Sequence, residues 1–254
     1  MRLLLDLGNT RLKWALQRAH AGGWAGEGAI EWQRDMAAAL ASAWAGLPSP
    51  AQVVVASVVA GEREAQVAAA VQCRFALEPC WLRTPAAACG VRNAYAEPQR
   101  LGVDRFLAMV AAHAAHRAPC VLASAGTALA LDALMADGRH LGGLIAPGVR
   151  LMQQSLLDAT ARVRPQRPGA ILELADNTAD AVTSGCWQAA AALIERFTTH
   201  MLPLLGAAPT LILDGGDAPQ LASLLSLPSQ LARDSVLRGL ALWADGHIEL
   251  LPTV

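Results

Sequence analysis

The sequence predicts an α/β protein built from two similar domains. Two observations support this. Apolar runs of strand length alternate with longer helical patterns along the whole chain. The segments 3–16 and 121–134 both consist of a strand, a turn of small residues and a second strand, with Gly8 and Gly126 in equivalent positions. A division near residue 117 gives domains 1–117 and 118–254, and we expect their two glycine turns to face each other across a cleft.

Composition limits the classes of function. The chain has 254 residues, of which 54% are apolar, and a net charge of −1. This is enough for two domains with proper cores, and the charge excludes a global field that attracts nucleic acid or anionic membranes. The five cysteines form no CxxC pair, which argues against a disulfide framework or a zinc site. With no signal peptide or membrane-length apolar run, we expect a soluble cytoplasmic protein.

The individual elements follow from apolar periodicity and turn residues. The first half of the chain predicts a hairpin at the N-terminus, strands at 29–32, 53–58 and 80–83, helices at 36–45, 62–71 and 103–116, and an irregular stretch at 90–100. The second half predicts strands at 120–124, 128–134, 140–146 and 210–213, and helices at 149–160, 177–202 and 234–244.

The tip of the first hairpin concentrates polar groups that suit phosphate binding. Gly8 lets backbone N–H groups approach phosphate oxygens, and the Thr10 hydroxyl can donate a hydrogen bond. Lys13, the only lysine of the chain, offers a point charge, while Asp6 can orient a magnesium ion or its waters. A plain surface hairpin remains the alternative interpretation of these residues.

An acid–base candidate stands at the start of the predicted helix 103–116. Asp104 is the candidate proton acceptor for an attacking alcohol, and the neighbouring Arg105 can keep it ionised or bind a substrate carboxylate in a fork. A carboxylate in the first helical turn is also what any helix N-terminus favours, so a capping role stays open.

Three further sites are open to two interpretations. Tyr95, the only tyrosine, lies in the polar loop before that helix and is either a substrate contact or a packing residue. Thr178 follows Asn177 at a predicted helix start, where capping is the alternative. The turn 214–217 allows close backbone approach to a nucleotide, as well as a simple turn into a helix.

Taken together, these motifs resemble those of the acetate and sugar kinase, actin and heat-shock chaperone superfamily, and most closely type III pantothenate kinase. The resemblance covers nearly the whole chain. It rests on the order and spacing of the segments 6–13, 102–105, 126–132, 142–148, 177–178 and 215–218.

The resemblance implies two duplicated actin-like, ribonuclease H-like domains that hold ATP between them. It assigns Asp104 as the base, and it implies a homodimer that uses magnesium and a monovalent cation. It assigns the ATP phosphates to Asp6, Leu7, Gly8, Asn9, Thr10, Arg11, Leu12, Lys13 and Thr127. It assigns pantothenate to Tyr95, Gly102, Val103, Asp104, Arg105 and, across the dimer interface, Thr178.

The chain departs from the family pattern at the second glycine turn. The family usually has an aspartate two residues before the glycine, where it binds potassium or ammonium, and this chain has Ser124. A hydroxyl attracts a hard cation less strongly than a carboxylate, so we expect a weakened cation site. Ala130 replaces a hydroxyl residue that is common on the returning strand.

The predicted function is transfer of the γ-phosphate of ATP to the hydroxyl of pantothenate, a step of coenzyme A biosynthesis. Two alternatives remain at this point. One is a kinase of the same fold that acts on another small hydroxy acid or a sugar, and the other is a non-catalytic, nucleotide-responsive regulator.

Overall fold

The structure is a computed structural model that describes residues 1–18, 23–59, 61–160, 163, 167–206 and 208–246. The chain divides into two compact units. The first consists of Met1–Ala115 together with the C-terminal segment from Ser235, and the second of His116–Asp234.

The first unit is built on a mixed sheet of five strands in the order β3-β2-β1-β4-β5. Strands β1, β2 and β3 are antiparallel neighbours, while β1, β4 and β5 run parallel. The strands are β1 (Arg2–Leu7), β2 (Arg11–Gln17), β3 (Trp24–Glu31), β4 (Gln52–Ser57) and β5 (Cys80–Leu82). A separate two-stranded ladder joins β6 (Ala87–Ala88) to β7 (Val91–Arg92).

The second unit repeats this topology. Its strands are β8 (Cys120–Ala125), β9 (Ala128–Leu134), β10 (His140–Pro147), β11 (Thr210–Asp214) and β12 (Ser229–Leu231), in the order β10-β9-β8-β11-β12. The pairing directions match those of the first sheet strand by strand. Gly8 and Gly126 therefore lie at equivalent hairpin tips, which confirms the predicted α/β class and its duplication.

Seven helices complete the described part of the chain. They are α1 (Met36–Trp44), α2 (Gly61–Phe75), α3 (Val103–Ala114), α4 (Val149–Ala159), α5 (Thr178–Leu205), α6 (Ala218–Ala222) and α7 (Ser235–Gly246). A 3-10 turn at Pro98–Arg100 precedes α3. None of the helices in the described ranges is both long and apolar enough to cross a membrane.

Strand alternation decides which residues of the first sheet face its core. Leu3, Leu5 and Leu7 are fully buried in one cluster with residues of α1 and α2. Because successive side chains of a strand point to opposite faces, Asp6 lies on the other face of the sheet. Helices α3 and α7 pack against β4 and against each other.

The last helix lies in a different unit from the one expected. The sequence-based division assigned residues 118–254 to one domain, whereas α7 packs on β1 and α3 of the first unit. Arg2 Nη1 donates to Asp245 Oδ1 at 2.8 Å, which ties the end of α7 to the first strand. The carbonyl of Leu107 lies so close to Gly239 that a side chain at position 239 would collide with the α3 backbone.

Candidate active site

The first hairpin places a carboxylate and an ammonium group opposite each other. Asp6 on β1 is the register partner of Lys13 on β2. Directly opposed residues of an antiparallel ladder share a face, with Cβ atoms about 5 Å apart. Both residues are half-buried, so charge of both signs is held next to the exposed tip at residues 9–11.

A backbone hydrogen bond closes the turn at this tip. Gly8 N–H donates to the Arg11 carbonyl at 3.1 Å and closes the turn. The side chains of Leu7 and Leu12 are fully buried in the core of the unit. The side chains of these two predicted phosphate contacts are therefore not accessible to a ligand.

Two residues that the sequence reasoning missed bind the carbonyls of this tip. Trp32 Nε1 donates to the Gly8 carbonyl at 2.7 Å, and Arg63 Nη1 donates to the Asn9 carbonyl at 2.9 Å. These contacts join residues 24 and 54 positions apart in the sequence, so no local pattern signals them.

Asp104 lies in the first turn of α3, at its second residue. The N-cap is Gly102, which makes no side-chain hydrogen bond, and Asp104 Oδ1 accepts the Arg105 N–H at 2.8 Å. A Cβ atom on Gly102 would lie 2.5 Å from Asp104 Oδ1. Glycine at position 102 thus makes room for the carboxylate, which is half-exposed and is not the helix N-cap.

Arg105 is directed toward Tyr95. Only 6% of Arg105 is exposed, and its Nη1 donates to the Tyr95 hydroxyl at 3.2 Å. Asn93 shapes the intervening loop, since its Oδ1 accepts the Tyr95 N–H and its Nδ2 donates to the Pro98 carbonyl. The structure thus brings together two predicted substrate residues ten positions apart.

A cavity of about 500 Å³ opens beside this helix start. Gly102 and Val103 line it together with Ser57, the last residue of β4, and Thr84, two residues after β5. Arg83, also in its wall, pairs with Glu64 at 3.0 Å, and its guanidinium holds the pKa of the Glu64 carboxyl below its usual value. The sequence reasoning had assigned no function to Ser57, Arg83 or Thr84.

Two glycines of the second unit, Gly148 and Gly215, lie close to the backbone of its hairpin. The Gly148 N–H donates to the Thr127 carbonyl at 3.0 Å, and a Cβ there would collide with the Gly126 carbonyl. Gly215, with φ of +102°, lies equally close to the Ala125 carbonyl. Thr127 is exposed at this hairpin tip.

The position equivalent to Asp6 is neutral in the second unit. Ser124 pairs with Ala130 across the hairpin, where the first unit has Asp6 and Lys13. On its other side, the register partner of Ser124 is Asp214, whose Oδ1 accepts the Gly215 N–H at 2.6 Å. The sequence reasoning had assigned no cation contact to Asp214.

Asp132 is buried in the second unit. Its Oδ1 lies 2.9 Å from His140 Nε2, and both side chains are almost completely inaccessible. The two residues lie on neighbouring strands eight positions apart. Their pairing satisfies two polar groups that would be costly to bury alone.

Thr178 is the first residue of α5 and is exposed, while the cap is Asn177, whose side chain accepts the Asp180 N–H. The alternative interpretation of Thr178 as the cap is therefore wrong.

Asp180 accepts two hydrogen bonds from Arg167, at 2.9 and 3.0 Å. These bonds hold the pKa of the Asp180 carboxyl far below its usual value, and hydrogen bonds from Asn177 and the Ala170 N–H lower it further.

No group of three or more His, Cys, Asp or Glu side chains able to hold a metal occurs among the described residues. A single carboxylate at Asp6 nevertheless fits magnesium that arrives with a nucleotide. Magnesium commonly binds through one or two carboxylates together with substrate phosphates, and retains several waters.

The duplicated sheet order, with a glycine hairpin at the same place in each unit, defines the class of fold, two actin-like α/β units. Among solved structures, a Baf family protein from Campylobacter jejuni aligns with a TM-score of 0.62 at 19% identity, over 97% of this chain and 99% of that one. The activator of 2-hydroxyisocaproyl-CoA dehydratase from Clostridium difficile, solved with ADPNP, aligns with a TM-score of 0.54 at 10% identity, over 100% of this chain and 98% of that one. At these identities the likeness concerns the fold alone.

The sequence identifies the family. The profile of type III pantothenate kinase matches residues 2–200. A type III pantothenate kinase from Aromatoleum aromaticum is 41% identical over 244 residues, which cover 96% of this chain and 98% of that protein. The chain belongs to the type III pantothenate kinase family. It is an ATP-dependent kinase that phosphorylates pantothenate in coenzyme A biosynthesis, as predicted, and the family selects this function among the alternatives.

The Arg167–Asp180 pair predicts an acid-sensitive contribution to stability. In the unfolded chain Asp180 takes up a proton near pH 4, while the folded carboxylate stays ionised to much lower pH. Its stabilising effect is therefore present above about pH 4 and is lost as the pH falls from there. We expect Asp180→Asn to lower Tm at pH 7, and this Tm difference to shrink progressively as the pH falls below about 4, with a large part of it still present at pH 3. Asp158→Asn is the control, and a Tm difference independent of pH would contradict the prediction.

Proposed function

We propose that Asp104 is the general base of this pantothenate kinase and that the first hairpin is its main phosphate site. The observation that carries the proposal is the setting of Asp104. Its half-exposed carboxylate stands at the start of α3, beside the cavity lined by Gly102 and Val103 and next to buried Arg105.

Asp104 can accept the proton that the substrate hydroxyl releases as its oxygen bonds to phosphorus. Phosphoryl transfer requires mainly alignment of the two oxygens and stabilisation of spread negative charge, so one positioned carboxylate is sufficient as the base. Gly102 supports this role because a side chain there would displace the carboxylate.

Arg105 and Tyr95 suit recognition of the pantothenate carboxylate. A guanidinium binds a carboxylate through two parallel hydrogen bonds, and the Tyr95 hydroxyl holds the planar group of Arg105 in one orientation. Because Arg105 is buried, the low dielectric constant around its guanidinium strengthens a hydrogen bond to a carboxylate. We place the pantothenate chain in the cavity beside Gly102 and Val103, with Thr178 of a second subunit as a further contact.

The nucleotide would bind the residues 6–13 and Thr127. Lys13 supplies a positive charge to the phosphates, and the backbone N–H groups of Asn9 and Thr10 supply hydrogen bonds. Arg11 and Thr127 add exposed donors at the two tips. Asp6 would hold magnesium, which when bound neutralises phosphate charge.

We propose that the active form is a homodimer formed through the second unit. Ile145 on the edge strand β10 is 65% exposed, Leu144 beside it 46%, and Leu174 before α5 91%. Exposed leucines also lie on α4 at positions 151 and 156. Apolar surface of this kind on an edge strand is typical of an interface.

A monovalent cation site would be weak in this chain, with Asp214 as its remaining carboxylate next to Ser124. We also propose a cytoplasmic location, because the five cysteines lack any disulfide pattern in the sequence.

The direct test is an assay of purified protein with ATP, magnesium and pantothenate, read by the mass of phosphopantothenate. A panel of sugars and hydroxy acids in the same assay measures selectivity. Phosphorylation of another alcohol in preference to pantothenate, or ATP binding with no product, would refute the proposal.

Asp104→Asn should lower kcat by about 10²–10⁴-fold, because the amide keeps the shape of the side chain but accepts no proton. Pantothenate binding and Tm should change little. Asp35→Asn is the matched control, since Asp35 also accepts a backbone N–H at a helix start but lies at α1. Near-normal turnover of the Asp104 variant would show that this carboxylate only supports the helix.

Lys13→Ala should raise KM for ATP by about tenfold or more, because a charged hydrogen bond to phosphate is lost. KM for pantothenate should stay close to that of the wild type. Arg34→Ala removes an exposed cation of the same unit and serves as the control. A fall in Tm without any change in KM for ATP would assign Lys13 to folding instead.

Ser124→Asp should increase the response to potassium, because it places a second carboxylate beside Asp214. Activity is titrated with potassium, ammonium and sodium at fixed ionic strength, with Ser124→Asn as the uncharged control. Strong saturable potassium activation of the wild type would show that the serine does not weaken the site.

Ile145→Asp should shift the protein from dimer to monomer, because a charge on the proposed interface is costly to desolvate. Leu231→Asp is the matched control, since Leu231 is 52% exposed on β12, the opposite edge of the same sheet. Mass is measured by light scattering during size-exclusion chromatography. A wild-type monomer, or a dimer that only Leu231→Asp disrupts, would contradict this interface.

A further inference from the structure

Three consecutive carbonyls at the tip of the first hairpin accept hydrogen bonds from outside the hairpin. The Gly8 carbonyl accepts from Trp32 Nε1 at 2.7 Å and the Asn9 carbonyl from Arg63 Nη1 at 2.9 Å. The Thr10 carbonyl accepts from the backbone N–H of Trp32 at 3.3 Å. The carbonyls of residues 8–10 are thus all directed toward these two residues.

Because the peptide group is planar, hydrogen bonds to these carbonyls also fix the direction of the neighbouring N–H groups. In a trans peptide the carbonyl of one residue and the N–H of the next point in opposite directions. Fixing the Gly8 carbonyl therefore fixes the Asn9 N–H, and fixing the Asn9 carbonyl fixes the Thr10 N–H. Within the described part of the chain, Asn9 forms no hydrogen bond other than the one from Arg63.

The orientation matters because carbonyl oxygens and phosphate oxygens repel each other. A flipped peptide between Gly8 and Asn9 would aim a carbonyl where an N–H is required. Glycine places few steric limits on such a flip, so sequence alone leaves the tip free to adopt it. The external donors Trp32 and Arg63 favour the orientation with outward N–H groups.

The two donors also support each other. The Arg63 guanidinium lies over the Trp32 ring, 4.7 Å from its centroid, in the geometry of a cation–π contact. Trp32 follows β3, and Arg63 lies in the first turn of α2. Two separate elements therefore hold the tip from the same side.

We propose that Trp32 and Arg63 are positioning residues for the nucleotide phosphates, acting through the backbone of residues 8–10. The inference rests on the proposed phosphate role of this hairpin. If the tip adopts the competent orientation only part of the time, the apparent affinity for nucleotide falls by that fraction, while chemistry in the bound state is unaffected.

A purely structural arginine on the same helix provides the comparison. Arg74, in the last turn of α2, donates to the carbonyls of Trp44, Ala45 and Leu47 and lies 4.9 Å from the centre of the Phe75 ring. It makes the same kinds of contact as Arg63, but to a turn with no proposed ligand. Its replacement should lower Tm and leave nucleotide affinity unchanged.

The kinetic test uses Trp32→Phe, which removes the indole N–H and keeps a ring for Arg63, and Arg63→Met. Each should raise KM for ATP by about 3- to 10-fold, as expected for one lost hydrogen bond. The kcat at saturating ATP and KM for pantothenate should stay within about twofold. Arg63→Lys should recover part of the loss, and Trp24→Phe and Arg74→Met should leave KM for ATP unchanged.

Arg63 could also attract phosphate directly through its charge. Trp32→Phe alters no charge, so a raised KM for ATP in this variant reports the orientation of the loop alone. The double variant should show less than the product of the two single effects, because both act on one loop. Wild-type KM for ATP in Trp32→Phe would overturn the inference. So would an increase in Arg74→Met equal to that in Arg63→Met.

Two measurements that need no phosphorylation of pantothenate test this inference independently of the proposed function. Calorimetry gives the Kd of magnesium ATP for each variant even if no pantothenate is phosphorylated. Amide hydrogen exchange of the peptide covering residues 7–11, without nucleotide, should be faster in Trp32→Phe and Arg63→Met than in the wild type. Unchanged exchange, or a wild-type loop that ATP does not protect, would overturn the inference.

Discussion

The spacing of leucines on the first strand is the constraint on which the site depends. Leu3, Leu5 and Leu7 are buried on one face, so Asp6 must lie on the other. Pairing of β1 with β2 then brings Lys13 opposite Asp6. A slip of one residue would send the leucines to the wrong face and separate the two charges, so burial of apolar surface and placement of charge are decided by one register.

Duplication supplies two copies of this arrangement, but their polar residues differ. The register pair Asp6 and Lys13 in the first unit corresponds to Ser124 and Ala130 in the second. The second tip is instead defined by the close backbone approach of Gly148 and Gly215. The same sheet order thus carries one charged hairpin and one hairpin whose surroundings are mainly backbone.

Sequence patterns predicted the hairpins, the long helices and the order of elements, because apolar periodicity is a local signal. They predicted β3 only from residue 29, although it begins at Trp24, since Gly26 and Gly28 interrupt the pattern. Gly28 is required because the Trp14 indole fills the place of a side chain. Long-range contacts were not predictable. No local feature shows that α7 returns to the first sheet, or that Trp32 and Arg63 reach the hairpin tip.

The position of Lys13 has a consequence for covalent chemistry. It is the only lysine among 254 residues, so any reagent or enzyme that acylates lysine side chains can modify one side chain of this protein. An amide at that position carries no charge. Asp6 would then face a neutral group across the ladder, and one modification would change the electrostatics of the hairpin without touching any other ε-amino group.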